Sequence, residues 1–145
     1  MTKPNVKLII NPMADMGNAW KNTDPLRPVL AKYANMADWS GTVYPMHASE
    51  IAKRAEDSIY DIVIAVGGDG TAHEVINGLM QIPEDKRPKF GIVPLGSGND
   101  FAANIGMPMD PVEALEQIFT GSSYMLDVAT VENEHGDKRY WDNTM

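Results

Sequence analysis

The chain has no cysteine. That excludes disulfides, thiolate zinc sites and a cysteine nucleophile, and it fits a reducing compartment. Basic residues are scarce: 12 Lys and Arg stand against 20 Asp and Glu, for a formal net charge of −8. Such a balance argues against general nucleic-acid binding, which needs cations for backbone phosphates. It also gives no help in reaching an anionic membrane, so any membrane contact would have to be local. Long hydrophobic runs are missing too. The apolar run Val6 to Ile10 is too short for a signal-peptide core, and no stretch approaches the length of a membrane span. There is neither an internal repeat nor a low-complexity segment. These absences point to a cytoplasmic protein.

The 145 residues, 43% hydrophobic and 22% charged, are enough for one core and one domain. Short β-like runs alternate with helix-like stretches. Val6 to Ile10 reads as a first strand, followed by a loop from Asn11 to Asn18. Asp24-Pro25 looks like an N-cap with proline at the first helical position, opening a helix with Leu26, Val29, Leu30 and Tyr33 at core spacing. Thr42 to Tyr44 reads as a second strand and Ala48 to Glu56 as a helix. Ile62 to Val66 is a third strand, ending in a glycine turn before a helix from Ala72 to Met80. Pro83 to Pro88 reads as a solvated loop and Phe90 to Pro94 as a fourth strand, followed by a second glycine turn and helix start. Asp110-Pro111 opens a further helix, with Val112, Leu115, Ile118 and Phe119 on one face and Gly121 as its stop. Tyr124 to Val131 reads as a fifth strand, and Arg139 to Trp141 returns from a polar turn at 132–137. The pattern predicts an α/β doubly wound fold with a mainly parallel sheet and flanking helices. Ligands of such folds gather at the carboxyl ends of the strands, where polar loops begin here at Asn11, Gly67 and Gly96.

The most specific string is Gly67-Gly68-Asp69-Gly70-Thr71, set between an apolar strand and a helix. Glycines let backbone approach a bulky anion, and a helix start aims free N–H groups at it. A helix terminus favours an anion by only about 0.3–2 kcal/mol. The carboxylate of Asp69 beside a polyphosphate would tend to cancel that gain. Two solutions remain: a divalent cation between them, or an Asp69 that faces an acceptor hydroxyl. Both imply phosphoryl transfer. The competing reading is a plain tight turn, for which Asp-Gly pairs are common.

Neighbouring residues carry double readings. Thr71 can contact phosphate or N-cap the following helix. Glu74 can reach a metal through water or complement the helix dipole. Asp100 either belongs to the site or caps the next helix. His47 and His73 lack partners at metal-ligand spacing and read as polar surface or loop positions, and His135 sits in a turn. Gly96-Ser97-Gly98 is not a dinucleotide fingerprint, because Phe101 stands where the third glycine belongs. Neither glycine turn is followed by a Walker A lysine.

With these residues in view, the chain resembles the catalytic domain of diacylglycerol kinases and related bacterial lipid kinases, a group that includes sphingosine kinases. Asn11-Pro12 matches the opening of that family's first nucleotide loop. Thr42-Val43-Tyr44-Pro45-Met46-His47-Ala48 is similar to its threonine-x3-Gly-His-Ala segment, with Met46 in the glycine's place. Gly67 to Thr71, continuing through His73 to Gly78, resembles the central signature. Pro94 to Phe101 matches the next motif, and Asp127-Val128-Ala129 resembles an Asp-x-Gly strand without its glycine. The resemblance implies ATP and Mg²⁺. It places ATP on Asn11, Pro12, Met13, Ala14, Asp15, Thr42, Gly67, Gly68, Asp69, Gly70, Thr71, His73, Glu74, Gly96, Ser97, Gly98 and Asn99. It sets Asp69, as the catalytic candidate, with Asp100 and Asp127, as metal candidates, near the phosphates. The chain departs from the family's small, glycine-rich and basic first loop: Asp15 puts a negative charge there, and Lys21 is the nearest cation.

The chain stops at Met145 just after a returning strand has begun, which reads as the end of a fragment. By resemblance, residues 1–145 are the nucleotide-binding N-terminal part of a lipid kinase. A second, mostly β domain would hold the base that activates the acceptor, and the fragment alone would be inactive. The expected partners are ATP and a diacylglycerol-like lipid at a membrane surface, visited peripherally from the cytoplasm, with no nucleic acid. Homo-oligomerisation stays open. The alternatives are a NAD kinase-like enzyme, which shares the GGDGT string, and a nucleotide-binding module without catalysis.

Overall fold

The structure, a computed structural model, describes residues 2–13, 17–57, 59–95, 98–121, 128–132 and 138–142. Strands β1 (Asn5–Ile10), β2 (Met36–Gly41), β3 (Ile62–Gly67) and β4 (Lys89–Pro94) pair in parallel in the order β2-β1-β3-β4. Val6 sits opposite Ile62, and Val63 opposite Phe90. β3 runs through the middle and is buried at every position. That is why its sequence is a continuous apolar run and not an alternation.

Helices cover both faces. On one, α2 (His47–Lys53), α3 (Asp69–Leu79) and α4 (Asp100–Asn104) close over Ile9, Val63, Ala65 and Ile92. On the other, α1 (Arg27–Tyr33) and α5 (Pro111–Thr120) cover Leu8, Ile10, Ile64, Val66 and Val93. Each fully buried Val, Leu or Ile contributes roughly 1.5–3 kcal/mol against exposure. The period-two side-chain alternation of the strands thus divides one sheet between two cores. Tyr33 stacks on Phe119 at 5.4 Å between ring centroids, tying α1 to α5.

The α/β parallel architecture and the helix opened by Asp110 are as the sequence predicts. The Asp110 carboxylate accepts the Glu113 N–H at 3.0 Å, with Pro111 in the first turn. Other boundaries differ. The second strand is 36–41, not 42–44. It is the outer strand of the sheet, half-buried at every position, and its Asp38 and Ser40 dilute any apolar signal. Asp24 does not cap α1. Residues Lys21–Leu26 form a 3-10 helix first, α1 starts at Arg27, and Asp24 pairs with the Arg27 guanidinium at 3.4 Å. The 83–88 segment is more than a solvated loop. The Arg87 guanidinium donates to the carbonyls of Leu79 at 3.0 Å and Ile82 at 2.8 Å, satisfying acceptors at the end of α3.

Strands β5 (Val128–Glu132) and β6 (Lys138–Asp142) form a separate antiparallel pair. The stretch 124–127 of the expected fifth strand lies outside the described residues. Among the described residues, no helix is long and apolar enough to cross a membrane.

Candidate active site

The chain order places β2 to one side of β1 and β3 to the other, so the loops after β1 and β3 diverge at the carboxyl edge. That topological switch is where an open α/β sheet leaves a crevice. A crevice of about 440 Å³ is lined there by Asn11, Gly68, Asp69, Gly70, Thr71, Glu74 and Gly98.

Its floor is the start of α3. The helix begins at Asp69, three residues before the expected Ala72, so Asp69 and Gly70 belong to its first turn. Its N-cap is Gly68, in extended conformation and with no side-chain cap, so the positive end of an 11-residue helix faces the crevice. Thr71 is therefore not the N-cap. It sits inside the helix, buried, and packs under Gly67, where a Cβ would come 3.1 Å from its Oγ1. Glu74 lies beyond the first turn, which removes the dipole reading and leaves its carboxylate lining the crevice.

Asp69 joins the two glycine loops. Its N–H donates to the Gly98 carbonyl at 2.8 Å. Its carboxylate oxygens accept the N–H groups of Asp100 at 3.1 Å and Phe101 at 2.9 Å. Asp100 is thus not the cap of α4: the N-cap is Asn99, which makes no side-chain capping bond, and Asp69 supplies one from across the crevice. The Asp100 side chain is exposed at the helix start.

The β1 loop opens with Asn11, whose Oδ1 accepts the Met13 N–H at 3.0 Å. Pro12 packs against the end of β2, where a Cβ on Gly41 would lie 3.1 Å from its ring. Thr42 follows β2 and donates its N–H to the Ile10 carbonyl at 2.9 Å, holding the first two loops together. His47 has a role that its spacing did not reveal. Its Nδ1 accepts the Val43 N–H at 3.0 Å while its ring stacks on Tyr44 at 4.3 Å, which anchors the loop between β2 and α2. The Tyr44 hydroxyl donates to Glu50, a bond that raises its pKa.

Of the residues singled out in the sequence, Pro12, Met13, Thr42, Gly67, His73, Asn99 and Asp100 do not line the crevice. Met13 is exposed beside it and Gly67 supports it from below. His73 is bound within α3, its carbonyl accepting from Asn77 at 2.8 Å. Ala14, Asp15, Gly96, Ser97 and Asp127 lie outside the described residues. No group of three acidic, His or Cys side chains converges as a metal cage among the described residues. Magnesium needs no such cage when it is held by one or two carboxylates together with phosphate oxygens. A second cavity, about 140 Å³, lies beside α2 and is lined by Lys7, Arg54 and Tyr60 among others.

Residues 5–131 match the family model of the diacylglycerol kinase catalytic domain. A Chromohalobacter salexigens protein named "Probable lipid kinase YegS-like" is 42% identical over 85 residues, 59% of this chain and 27% of its own length. A diacylglycerol kinase of Staphylococcus epidermidis is 40% identical over 84 residues, 58% of this chain and 26% of that protein. The crystal structure of a diacylglycerol kinase from Bacillus anthracis superimposes with a TM-score of 0.77 at 30% identity, covering 88% of this chain and 44% of that one. The chain therefore spans less than half of these relatives, and by the family model it belongs to the diacylglycerol kinase catalytic domain family.

Proposed function

We propose that this chain is the nucleotide-binding part of a kinase that moves the γ-phosphate of ATP to the hydroxyl of a diacylglycerol-like lipid. The observation that carries this reading is Gly70. It is helical, and a Cβ added there would meet nothing within 4 Å. Neither backbone strain nor packing calls for glycine at that place, and a methyl would stand in the crevice at the first turn of α3. A bulky anion seated against the helix start explains it.

In this reading the β- and γ-phosphates lie over Gly68 to Thr71, facing the α3 amides. Mg²⁺, when bound, would offset the charge that builds up on the phosphates during transfer. Glu74, which lines the crevice, is the described carboxylate that would hold the ion; Asp100, exposed at the start of α4, and Asp127 would join it by their motifs. The Asn11 and Thr42 loops would position the nucleoside. The acceptor oxygen attacks the γ-phosphorus, the bond to the bridging oxygen breaks, ADP leaves, and the hydroxyl proton passes to a base. We assign that base to the family's second, mostly β domain, and residues 1–145 to the nucleotide half. The lipid would be met at a membrane surface.

The test is phosphorylation of a lipid panel with labelled ATP and Mg²⁺ by the longest open reading frame that carries this chain, together with calorimetric titration of ATP. Saturable nucleotide binding with label in a neutral glycerolipid is the expected result. Label in NAD would favour the NAD kinase-like reading, and binding without transfer to any acceptor would favour a non-catalytic module. Absence of nucleotide binding would sink the proposal.

A further inference from the structure

The two solutions offered for the Asp69 charge, a cation or an acceptor hydroxyl, both leave its oxygens free for chemistry. The geometry points to a third: Asp69 is a positioning residue whose carboxylate clamps the β4–α4 loop to the β3–α3 turn and so sets the shape of the phosphate crevice. The inference rests on the phosphate-binding reading of that crevice and deepens it.

Three contacts make the clamp. The Asp69 N–H reaches the Gly98 carbonyl at 2.8 Å, and its Oδ2 and Oδ1 receive the N–H groups of Asp100 and Phe101 at 3.1 and 2.9 Å. Both oxygens are thus engaged, each by a backbone donor. α4 has only five residues and no side-chain cap from its own N-cap, Asn99. A helix that short cannot repay its own nucleation, so it depends on tertiary partners. Among the described residues these include the core that buries Phe101 and Ala102, with the Phe101 ring 6.2 Å from that of Phe90, and the Asp69 carboxylate.

The arrangement also answers the repulsion problem. A carboxylate that accepts two N–H groups at a helix start has much of its charge met locally, so it can stand beside phosphate at smaller cost. A base or an inner-sphere metal ligand at Asp69 would have to give up or share those bonds. Glu74, which lines the crevice and carries no comparable clamp among the described residues, is left for the cation.

Hydrogen exchange and steady-state kinetics on the full reading frame separate the two roles. Asp69→Asn keeps one acceptor and Asp69→Ala none. Exchange at the Asp100 and Phe101 amides in nucleotide-free protein should therefore rise about tenfold for Asn, and further for Ala. Turnover by Asp69→Asn should suffer mainly through a raised KM for MgATP, with kcat within about tenfold and an unchanged pH profile. If Asp69→Ala does not fold, the isosteric Asn variant still decides. Unchanged exchange in Asp69→Asn, or a kcat loss beyond about a thousandfold at saturating nucleotide, overturns the inference. Should the parent transfer phosphate to no lipid, the proposed function fails, while the exchange measurement still rules on Asp69.

Discussion

Gly78 of α3 and Ser49 of α2 approach so closely that a Cβ on Gly78 would lie 2.2 Å from the Ser49 carbonyl oxygen and 2.8 Å from the Ala52 Cβ. The close contact of the two helices seals the core over β3, and it positions α3, whose opposite end forms the crevice floor.

Gly78→Ala sets two effects against each other. Alanine gains about 1 kcal/mol of helix propensity. Against that, both obstructing atoms belong to backbone or Cβ and cannot swing aside, so α2 and α3 must separate. Overpacking of this kind costs about 1–3 kcal/mol, and the loss of neighbouring contacts adds to it. We predict net destabilisation of about 2 kcal/mol in urea unfolding.

Gly70→Ala should have the opposite sign for stability. With open space around its Cβ, the same propensity term acts unopposed, and the nucleotide-free chain gains up to about 1 kcal/mol. The methyl obstructs the crevice, so nucleotide affinity should fall at least tenfold by calorimetry. Unchanged affinity would remove Gly70 from the site.

Met46 adopts φ +69°, in the left-handed region, at the N-cap of α2. It stands where the resembling segment has glycine. A non-glycine residue in that region costs about 1–2 kcal/mol, while glycine loses about 0.5–1 kcal/mol more backbone entropy on folding. Met46→Gly should therefore stabilise the chain by about 0.5–1 kcal/mol, seen as a Tm rise.

The Tyr60 hydroxyl donates to the Asp38 carboxylate, and that bond, aided by burial and by the Asp38 charge, raises its pKa from 10 to about 12. A pKa raised on folding means the protonated phenol stabilises the native state. The contribution is complete below pH 10 and is lost as pH rises through about 12. Denaturant titrations between pH 9 and pH 12 should show that loss in the parent chain and a flatter profile in Tyr60→Phe.

The elements that could be read from the chain are those whose cause is local. The six buried positions of β3 could only be an apolar run, and the Asp110-Pro111 start carries its own cap and its own fixed φ. The carboxyl ends of β3 and β4 fall within one residue of where the sequence pattern placed them. By contrast, β2 took its strand identity from pairing with β1, with Lys7 opposite Asp38 and Ile9 opposite Ser40, and nothing in its own composition announces that. The start of α3 is not legible locally, because Gly68, Asp69 and Gly70 read as a turn by propensity. The helix nevertheless begins at Asp69, whose N–H is taken by Gly98.

By itself, the order of residues determined the α/β alternation, the central strand and the loops that would carry polar chemistry, because each depends on side chains a few positions apart. Only the tertiary structure decided what those polar groups do. Asp69 meets Asp100 and Phe101 across 31 and 32 positions of chain, His47 holds the loop before its own helix, and Gly70 is left facing open space. Such pairings depend on how neighbouring strands bring their carboxyl ends together, which is a property of sheet order and not of spacing along the chain.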